Sequence, residues 1–274
     1  MLNADLITRV AGAWGERQQT LVALRRIART RLRRPRPLPA SVQRAWYTIL
    51  QRRGIMVIPG FWSPAECARA RAELLRLEEA YPENVHRRSD RRLFGVDRAS
   101  PLLRAFAEHP DLVALSHAFY ATQRGSCVTL GAHLPFTEGN LGSGEGWHRD
   151  SLAPQFKAIL YLTDVSIDNG PFELIPGSHR PLRMARDIVL ARLGARTRLS
   201  DAEVEEVAQR YPEGVATVTG AQGTLVLANS SAIHRGRPIA AGERVALTNY
   251  YYPSHPLPRR YEELFAPILP YVSE

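Results

Sequence analysis

Cysteine is close to absent: Cys67 and Cys127 are the only two in 274 residues, too few and too far apart for a disulfide framework or a thiolate metal centre. Any metal held by this chain is therefore left to histidine and carboxylate. Lysine is scarcer still, with Lys157 alone against 35 arginines, so arginine-rich stretches reflect a bias of the whole chain as much as any local function. Long apolar runs are missing too, and no stretch of roughly 18 apolar residues is there to span a bilayer. The opening segment MLNADLITRV carries Asp5 and Arg9 where a secretory leader needs an apolar run, so a cytoplasmic protein is expected. Repeats and low-complexity tracts are absent as well.

What is present begins with an uneven charge. The net charge is +9, but residues 1–36 hold nine arginines against Asp5 and Glu16, a net of +7, which leaves +2 for the rest. Leu6, Val10, Trp14, Leu21, Leu24 and Ile27 fall largely at helical spacing, giving a basic amphipathic extension of the kind that can touch an anionic membrane surface, although a solvated helix face has the same pattern. Nucleic acid is disfavoured as a partner, because only Trp14 stands among these arginines for base stacking. The expected organisation is this extension over 1–36, then a single domain over 37–274.

Within that domain, helices come first. A helix is expected at about 40–53, then a short strand in IMVIPGF closed by Pro59 and Gly60. Ser63, Pro64 and Glu66 form a helix start with a capping box, and that helix should run to about Ala80. Two short helices are expected over 101–122. Beyond Gly125 the pattern turns to short β-rich segments at 126–134, 156–165, 171–175, 215–219, 223–229 and 243–252, separated by Gly, Pro, Asn or Asp. Helices followed by strands argue an α+β fold whose strands close into a roll. Residues 180–213 interrupt the strands with a helical insert, where Ser200 and Glu203 form another capping box; such an insert can serve as lid, wall or packing.

The chemistry centres on GSGEGWHRDS, where His148 and Asp150 stand two apart and project toward a common point if the backbone is extended. Joined by a distant second histidine, such a pair makes the two-His, one-carboxylate arrangement that leaves open positions on Fe(II). His234 follows a predicted strand, and Arg244 lies ten residues later at the start of the next. If His234 completes the set, Arg244 is the candidate to bind the far carboxylate of a dicarboxylic cosubstrate, since a guanidinium offers two parallel donors and keeps its charge when buried. In FKAILYLTDV, alternation puts Lys157, Ile159, Tyr161 and Thr163 on one face and Phe156, Ala158, Leu160 and Leu162 on the other. If the first face lines the cavity, Lys157 or Tyr161 can donate to the cosubstrate or to an anionic substrate. His133 can reach the same cavity or be a satisfied strand histidine, Trp147 reads as a wall beside the first donor, and His179 in PGSH reads as part of a turn.

The run GWHRDSLAPQFKAILYLTDVSIDNGPFELIPGSH places the metal motif, a core strand, an Asn-Gly-Pro turn and the PGSH ending in an order that resembles the phytanoyl-CoA dioxygenase family, over roughly residues 126–252. The resemblance implies a double-stranded β-helix, a jelly-roll or cupin-like core. It also implies dependence on Fe(II), 2-oxoglutarate and O2, with His148, Asp150 and His234 as iron ligands and Arg244 on the distal carboxylate. Related halogenases replace the ligand carboxylate with a small residue; Asp150 is retained here, which favours hydroxylation, expected on an aliphatic carbon of a small-molecule, lipid-like or glycan-like substrate. The competing reading is a cupin-like metalloprotein without oxygen chemistry, such as an isomerase or a sugar-binding module, which the same fold can support.

Overall fold

A computed structural model of the chain describes residues 20–22, 24–25, 43–190 and 193–271. Most of the basic extension expected over 1–36, with its amphipathic helices, lies outside the described residues.

Helix Arg44–Arg53 carries Arg52 and Arg53 in its last turn and ends on Gly54, whose φ of +79° continues the chain into β1 (Ile55–Ile58). Basic residues at that end suit the partial negative charge of the helix terminus. Helix Pro64–Ala80 starts as the sequence predicts: the Ser63 side chain accepts from the Glu66 amide while Glu66 reaches back to the Ser63 amide. Helices Pro101–Ala107 and Pro110–Tyr120 each open on a proline, where a missing N–H costs nothing. Among the described residues, no helix is long and apolar enough to cross a membrane.

Two antiparallel sheets follow. The larger has the order β1-β8-β5-β10-β4-β3-β2 and the smaller β7-β6-β9. The larger is built from β2 (His86–Arg87), β3 (Arg91–Phe94), β4 (Ser126–Pro135), β5 (Phe156–Tyr161), β8 (Leu225–Asn229) and β10 (Glu243–Tyr252), together with β1. The smaller comprises β6 (Phe172–Leu174), β7 (Ala216–Val218) and β9 (His234–Gly236). Sequence-distant strands lie side by side, with β5 between β8 and β10, as in the expected roll.

The pleat of β5 and β10 sorts residues between two layers. Phe156, Ala158, Leu160 and Leu162, with Leu225, Leu227, Val245 and Leu247, face the helices and pack with Leu50, Leu74 and Phe106. Each such fully buried side chain stabilises the fold by about 1.5–3 kcal/mol. Ile159, Tyr161, Val226 and Ala246 face the other way, toward Phe172, Leu174 and Val218 of the smaller sheet. The alternation read along β5 is thus realised, and Lys157 and Arg244 fall on the face between the sheets.

The insert forms helices Pro181–Leu190 and Asp201–Ala208, the second with the Ser200–Glu203 capping box. Leu193, Leu199, Val204, Val207 and Tyr211 pack on Trp147, Ile175 and Ile233, while Met184 and Ile188 hold Leu152 and Leu24.

Several expectations need correction. The arginine-rich stretch before Ser100, over which the sequence predicts no element, supplies β2, β3 and the short helix Val96–Ala99. Its strand signal was hidden because arginines occupy positions beside buried Leu93 and Phe94. The strand expected over 156–165 stops at Tyr161, where the Tyr161 amide donates to Thr224 and the Gly223 amide to Tyr161. His234 follows strand β8 as expected and also begins a further short strand, β9, and helix Arg259–Phe265 was not anticipated.

Candidate metal centre

His148 and His234 meet as backbone partners. Each amide donates to the other's carbonyl at 2.9 Å, in an antiparallel bridge at the edge of the smaller sheet, and the two imidazole centroids lie 4.3 Å apart. Asp150, two residues on, is anchored by its amide donating to the Ser230 carbonyl at 3.0 Å. Its Oδ1 lies 3.5 Å from Nε2 of His148 and 3.7 Å from Nε2 of His234, and one donor atom from each residue falls within 4.8 Å of the others. The extended backbone through 148–150 accounts for this convergence, since residues two apart share a face.

The chemistry of the three donors fits a divalent metal. Nδ1 of His148 sits 2.9 Å from the Gly146 carbonyl, and Nδ1 of His234 sits 2.9 Å from the Ala232 carbonyl. A carbonyl only accepts, so each Nδ1 carries the proton and each Nε2 presents its lone pair inward. Burial, reinforced by the neighbouring His148 imidazole, holds the His234 imidazole well below its ordinary titration range, so it stays neutral as a metal ligand must. Burial opposes charge on Asp150, yet Lys157 foremost, then His148 and His234, hold its carboxyl well below the usual carboxylate range.

Lys157 lies on the predicted face but has a different contact from the one expected. Its Nζ is 2.6 Å from Asp150 Oδ2 and 4.4 Å from the centre of the Tyr250 ring, and the residue is 6 % exposed. Burial opposes its charge, and Asp150 and Tyr250 more than restore it. The lysine is thus engaged by the carboxylate, with one oxygen of Asp150 toward the imidazoles and the other toward Lys157. Tyr161 is also on that face, but its hydroxyl donates to the Val218 carbonyl at 3.0 Å and accepts from the Phe172 amide at 3.1 Å. Its only proton is engaged in joining β5 to the smaller sheet, so the expected donation to a cosubstrate is replaced by a structural one.

Arg244 is buried on β10. Its Nη1 donates to the Gly170 carbonyl, and among the described residues no carboxylate lies within ion-pairing distance. Burial lowers its pKa from the usual arginine range. Its Nη2 would stand 3.1 Å from a Cβ on Gly236, two residues along β9 from His234, a spacing of roughly 7 Å at the ordinary strand rise. A buried guanidinium with no carboxylate in ion-pairing distance among the described residues, close to the three donors, has the chemistry to receive an anion that also reaches them.

Of the other residues, Trp147 is buried as expected, under the Arg235 guanidinium 4.4 Å from its centroid. Phe172, which the sequence did not single out, lies 5.5 Å from the His234 ring. His133 turns away from the site: it sits 2.9 Å from Glu243 Oε2 and 3.5 Å from Glu78 Oε2. His179 also stays outside, with Nε2 3.1 Å from the Gln51 carbonyl and its pKa pushed down to about 4 by burial. Sequence reasoning missed Arg149 altogether. Alternation alone could have found it, because a residue between two inward-facing donors must face the protein on the other side.

The comparisons bear on the family and the fold. The model of the family described as Phytanoyl-CoA dioxygenase (PhyH) matches residues 50–245. A search of curated proteins finds no match. Among solved structures, EctD from S. alaskensis with bound Fe is 18% identical, with 79% of this chain and 78% of that one covered and a TM-score of 0.62. HygX from Streptomyces hygroscopicus with nickel and 2-oxoglutarate bound is 21% identical, covers 78% and 88%, and has a TM-score of 0.56. The non-heme alpha ketoglutarate dependent epimerase SnoN from nogalamycin biosynthesis is 19% identical, over 76% and 81%, with a TM-score of 0.56. At these identities the structures speak for the fold.

Proposed function

The chain belongs to the phytanoyl-CoA dioxygenase family and is an Fe(II)- and 2-oxoglutarate-dependent oxygenase, and on that footing we propose that His148, Asp150 and His234 hold the iron and that the reaction is hydroxylation of an aliphatic carbon. The observation that carries the assignment is the convergence of the two Nε2 atoms on Asp150 Oδ1, with both Nδ1 atoms tied to carbonyls.

When bound, Fe(II) and 2-oxoglutarate supply the oxidising chemistry, in which O2 is consumed, the cosubstrate becomes succinate and CO2, and one oxygen atom enters the substrate. The protein's own residues position and neutralise. Arg244 takes the distal carboxylate of 2-oxoglutarate, which orients the 2-oxo acid end toward the three donors. Lys157 holds Oδ2 of Asp150, so Oδ1 would be the oxygen offered to the metal. Phe172, stacked near His234, and buried Trp147 exclude water on one side. Retention of the Asp150 carboxylate supports hydroxylation over halogenation.

The substrate is a small molecule. We read it as aliphatic in the part that reacts, lipid-like or glycan-like; the insert packs Met184 and Ile188 on Leu152, two residues after Asp150. The test is a substrate panel scored by succinate release, with the His148→Ala, Asp150→Ala and His234→Ala variants alongside. Each variant should release no succinate above background; substrate-dependent release by any of them would refute the ligand assignment. A cupin-like protein without oxygen chemistry would show no weak visible band when Fe(II) and 2-oxoglutarate are mixed with it anaerobically.

A further inference from the structure

We infer that Arg149, the residue between the first two donors, is a positioning residue through which the helical insert holds the iron site in shape, with Asp187 and Tyr211 as its anchor. The inference rests on the iron assignment above. His148 and Asp150 face the metal position, so the intervening side chain is directed to the opposite side. There it is 4 % exposed. Nη1 of Arg149 donates to the Ser178 carbonyl at 2.9 Å and to the Ser231 carbonyl at 2.5 Å. Nη2 lies 3.5 Å from Asp187 Oδ2 on helix Pro181–Leu190. Asp187 is fully buried, accepts a hydrogen bond from the Tyr211 hydroxyl at 2.5 Å and has Arg186 Nη2 3.2 Å from its other oxygen.

One guanidinium therefore joins three pieces of chain. Ser178 lies in the turn after β6, Ser231 lies three residues before His234, and Asp187 belongs to the insert. The planar fork of arginine places Nη1 on the two carbonyls and Nη2 toward Asp187, a span that the single nitrogen of an ammonium does not cover. Backbone contacts run in parallel: the Arg149 amide donates to the Thr197 carbonyl at 2.7 Å, and the Leu199 amide donates to the Trp147 carbonyl at 3.0 Å. The insert also packs on Trp147 and Ile233, the residues immediately before the two histidines. The insert is thus bonded or packed against a neighbour of every donor.

Removing the Asp187 charge leaves the buried Arg149 guanidinium with only the neutral Ser178 and Ser231 carbonyls as partners, a state that favours movement of the side chain. Because Arg149 is covalently between His148 and Asp150, its movement displaces both. A brace of the fold alone would lower stability and leave metal affinity untouched; a positioning role lowers metal affinity itself.

The experiment measures the dissociation constant of Fe(II), with 2-oxoglutarate present and oxygen excluded, and of Ni(II) by calorimetry. Melting temperature is recorded for the metal-free and metal-loaded forms. Asp187→Asn should weaken metal binding about tenfold and Arg149→Met by about 10–100-fold, the range for partners that orient metal ligands. Tyr211→Phe, which removes one hydroxyl and keeps the ring packed, should shift affinity the same way by a smaller factor. Arg149→Lys should recover only part of the loss. In the Arg149→Met, Asp187→Asn double variant the two losses should not add, as expected of one coupled unit. Glu206→Gln, on the outer surface of the insert where Glu206 pairs with Arg210, should match the wild type. Lower melting temperatures with wild-type metal affinity across the Arg149, Asp187 and Tyr211 variants would overturn the inference. Failure of the wild-type protein itself to bind Fe(II) or Ni(II) is a separate result and would overturn the iron assignment.

Discussion

A single methyl group on Gly144 should disable the site. A Cβ built there would lie 2.4 Å from Cε1 of His148 and 3.2 Å from each ring nitrogen, whereas ordinary contact begins near 3.4 Å. The imidazole must then retreat by about 1 Å, while metal–ligand distances tolerate only about 0.2 Å. It cannot retreat freely, because Nδ1 is held 2.9 Å from the Gly146 carbonyl. The backbone adds a second cost, since Gly144 has φ +91° and alanine in that region is disfavoured by about 1–2 kcal/mol. Gly144→Ala should therefore bind Fe(II) at least about tenfold more weakly and lose about a hundredfold in succinate-forming turnover, the scale set by a 1 Å misplacement. Two controls separate contact from strain. Gly139 (φ +73°) and Gly60 (φ +63°) are also left-handed, but a Cβ on either meets nothing within 4 Å. Their alanine variants should lose comparable stability in thermal melts and keep their iron affinity. Wild-type iron binding by Gly144→Ala would refute the argument from contact; equal iron loss in Gly139→Ala would show that strain, not the clash, is responsible.

Other outcomes follow from the same geometry. Arg244→Met should raise the KM for 2-oxoglutarate by about tenfold or more, the value of one charge-assisted hydrogen bond, with iron binding in the absence of cosubstrate unchanged; an unaltered KM would remove Arg244 from the cosubstrate site. Gly236→Ala, whose Cβ would stand 3.1 Å from Arg244 Nη2, should reproduce part of that effect in steady-state kinetics. Lys157→Met should free Asp150 Oδ2 and weaken Fe(II) binding as measured by anaerobic titration, whereas tighter binding would mean the lysine only lowers the carboxylate's attraction for the metal. His133 has a raised pKa, caused first by Glu78, with burial opposing and Glu243 assisting. A raised folded value means that its stabilising contribution is complete below the unfolded histidine value near 6.5 and is lost as pH rises through the higher folded value. Melting temperature against pH should show that loss above pH 6.5 in the wild type and not in His133→Gln.

What could be read from the sequence was the part governed by local rules. Ser63–Glu66 and Ser200–Glu203 formed the expected capping boxes, because a cap is settled within four residues. The two faces of β5 followed from a period of two. The convergence of residues 148, 150 and 234 was expected from the family resemblance together with the His-x-Asp spacing, and the geometry brings them together. Less was legible where a side chain's partner lies far along the chain. Lys157 was placed on the right face, but that its nearest anion is Asp150 depends on how the 148–150 segment lies across β5. Tyr161 illustrates the same limit: its hydroxyl joins Phe172 of the next strand to Val218 of β7, 57 residues away. β2 and β3 were hidden because they hold mostly basic residues and bury the adjacent pair Leu93 and Phe94 with no period-two alternation to read.

The mutual backbone bonds of His148 and His234 span 86 residues. Neither imidazole has a fixed neighbour until the chain has come back on itself and the late strand has zipped onto the early segment, a long-range closure of the kind that makes β topologies slow to form. Iron capture is therefore a readout of completed assembly: during refolding, recovery of the metal-dependent visible band should lag the appearance of helix and coincide with docking of β9, and a nascent chain ended before that strand would present two of the three ligands to the cell's iron.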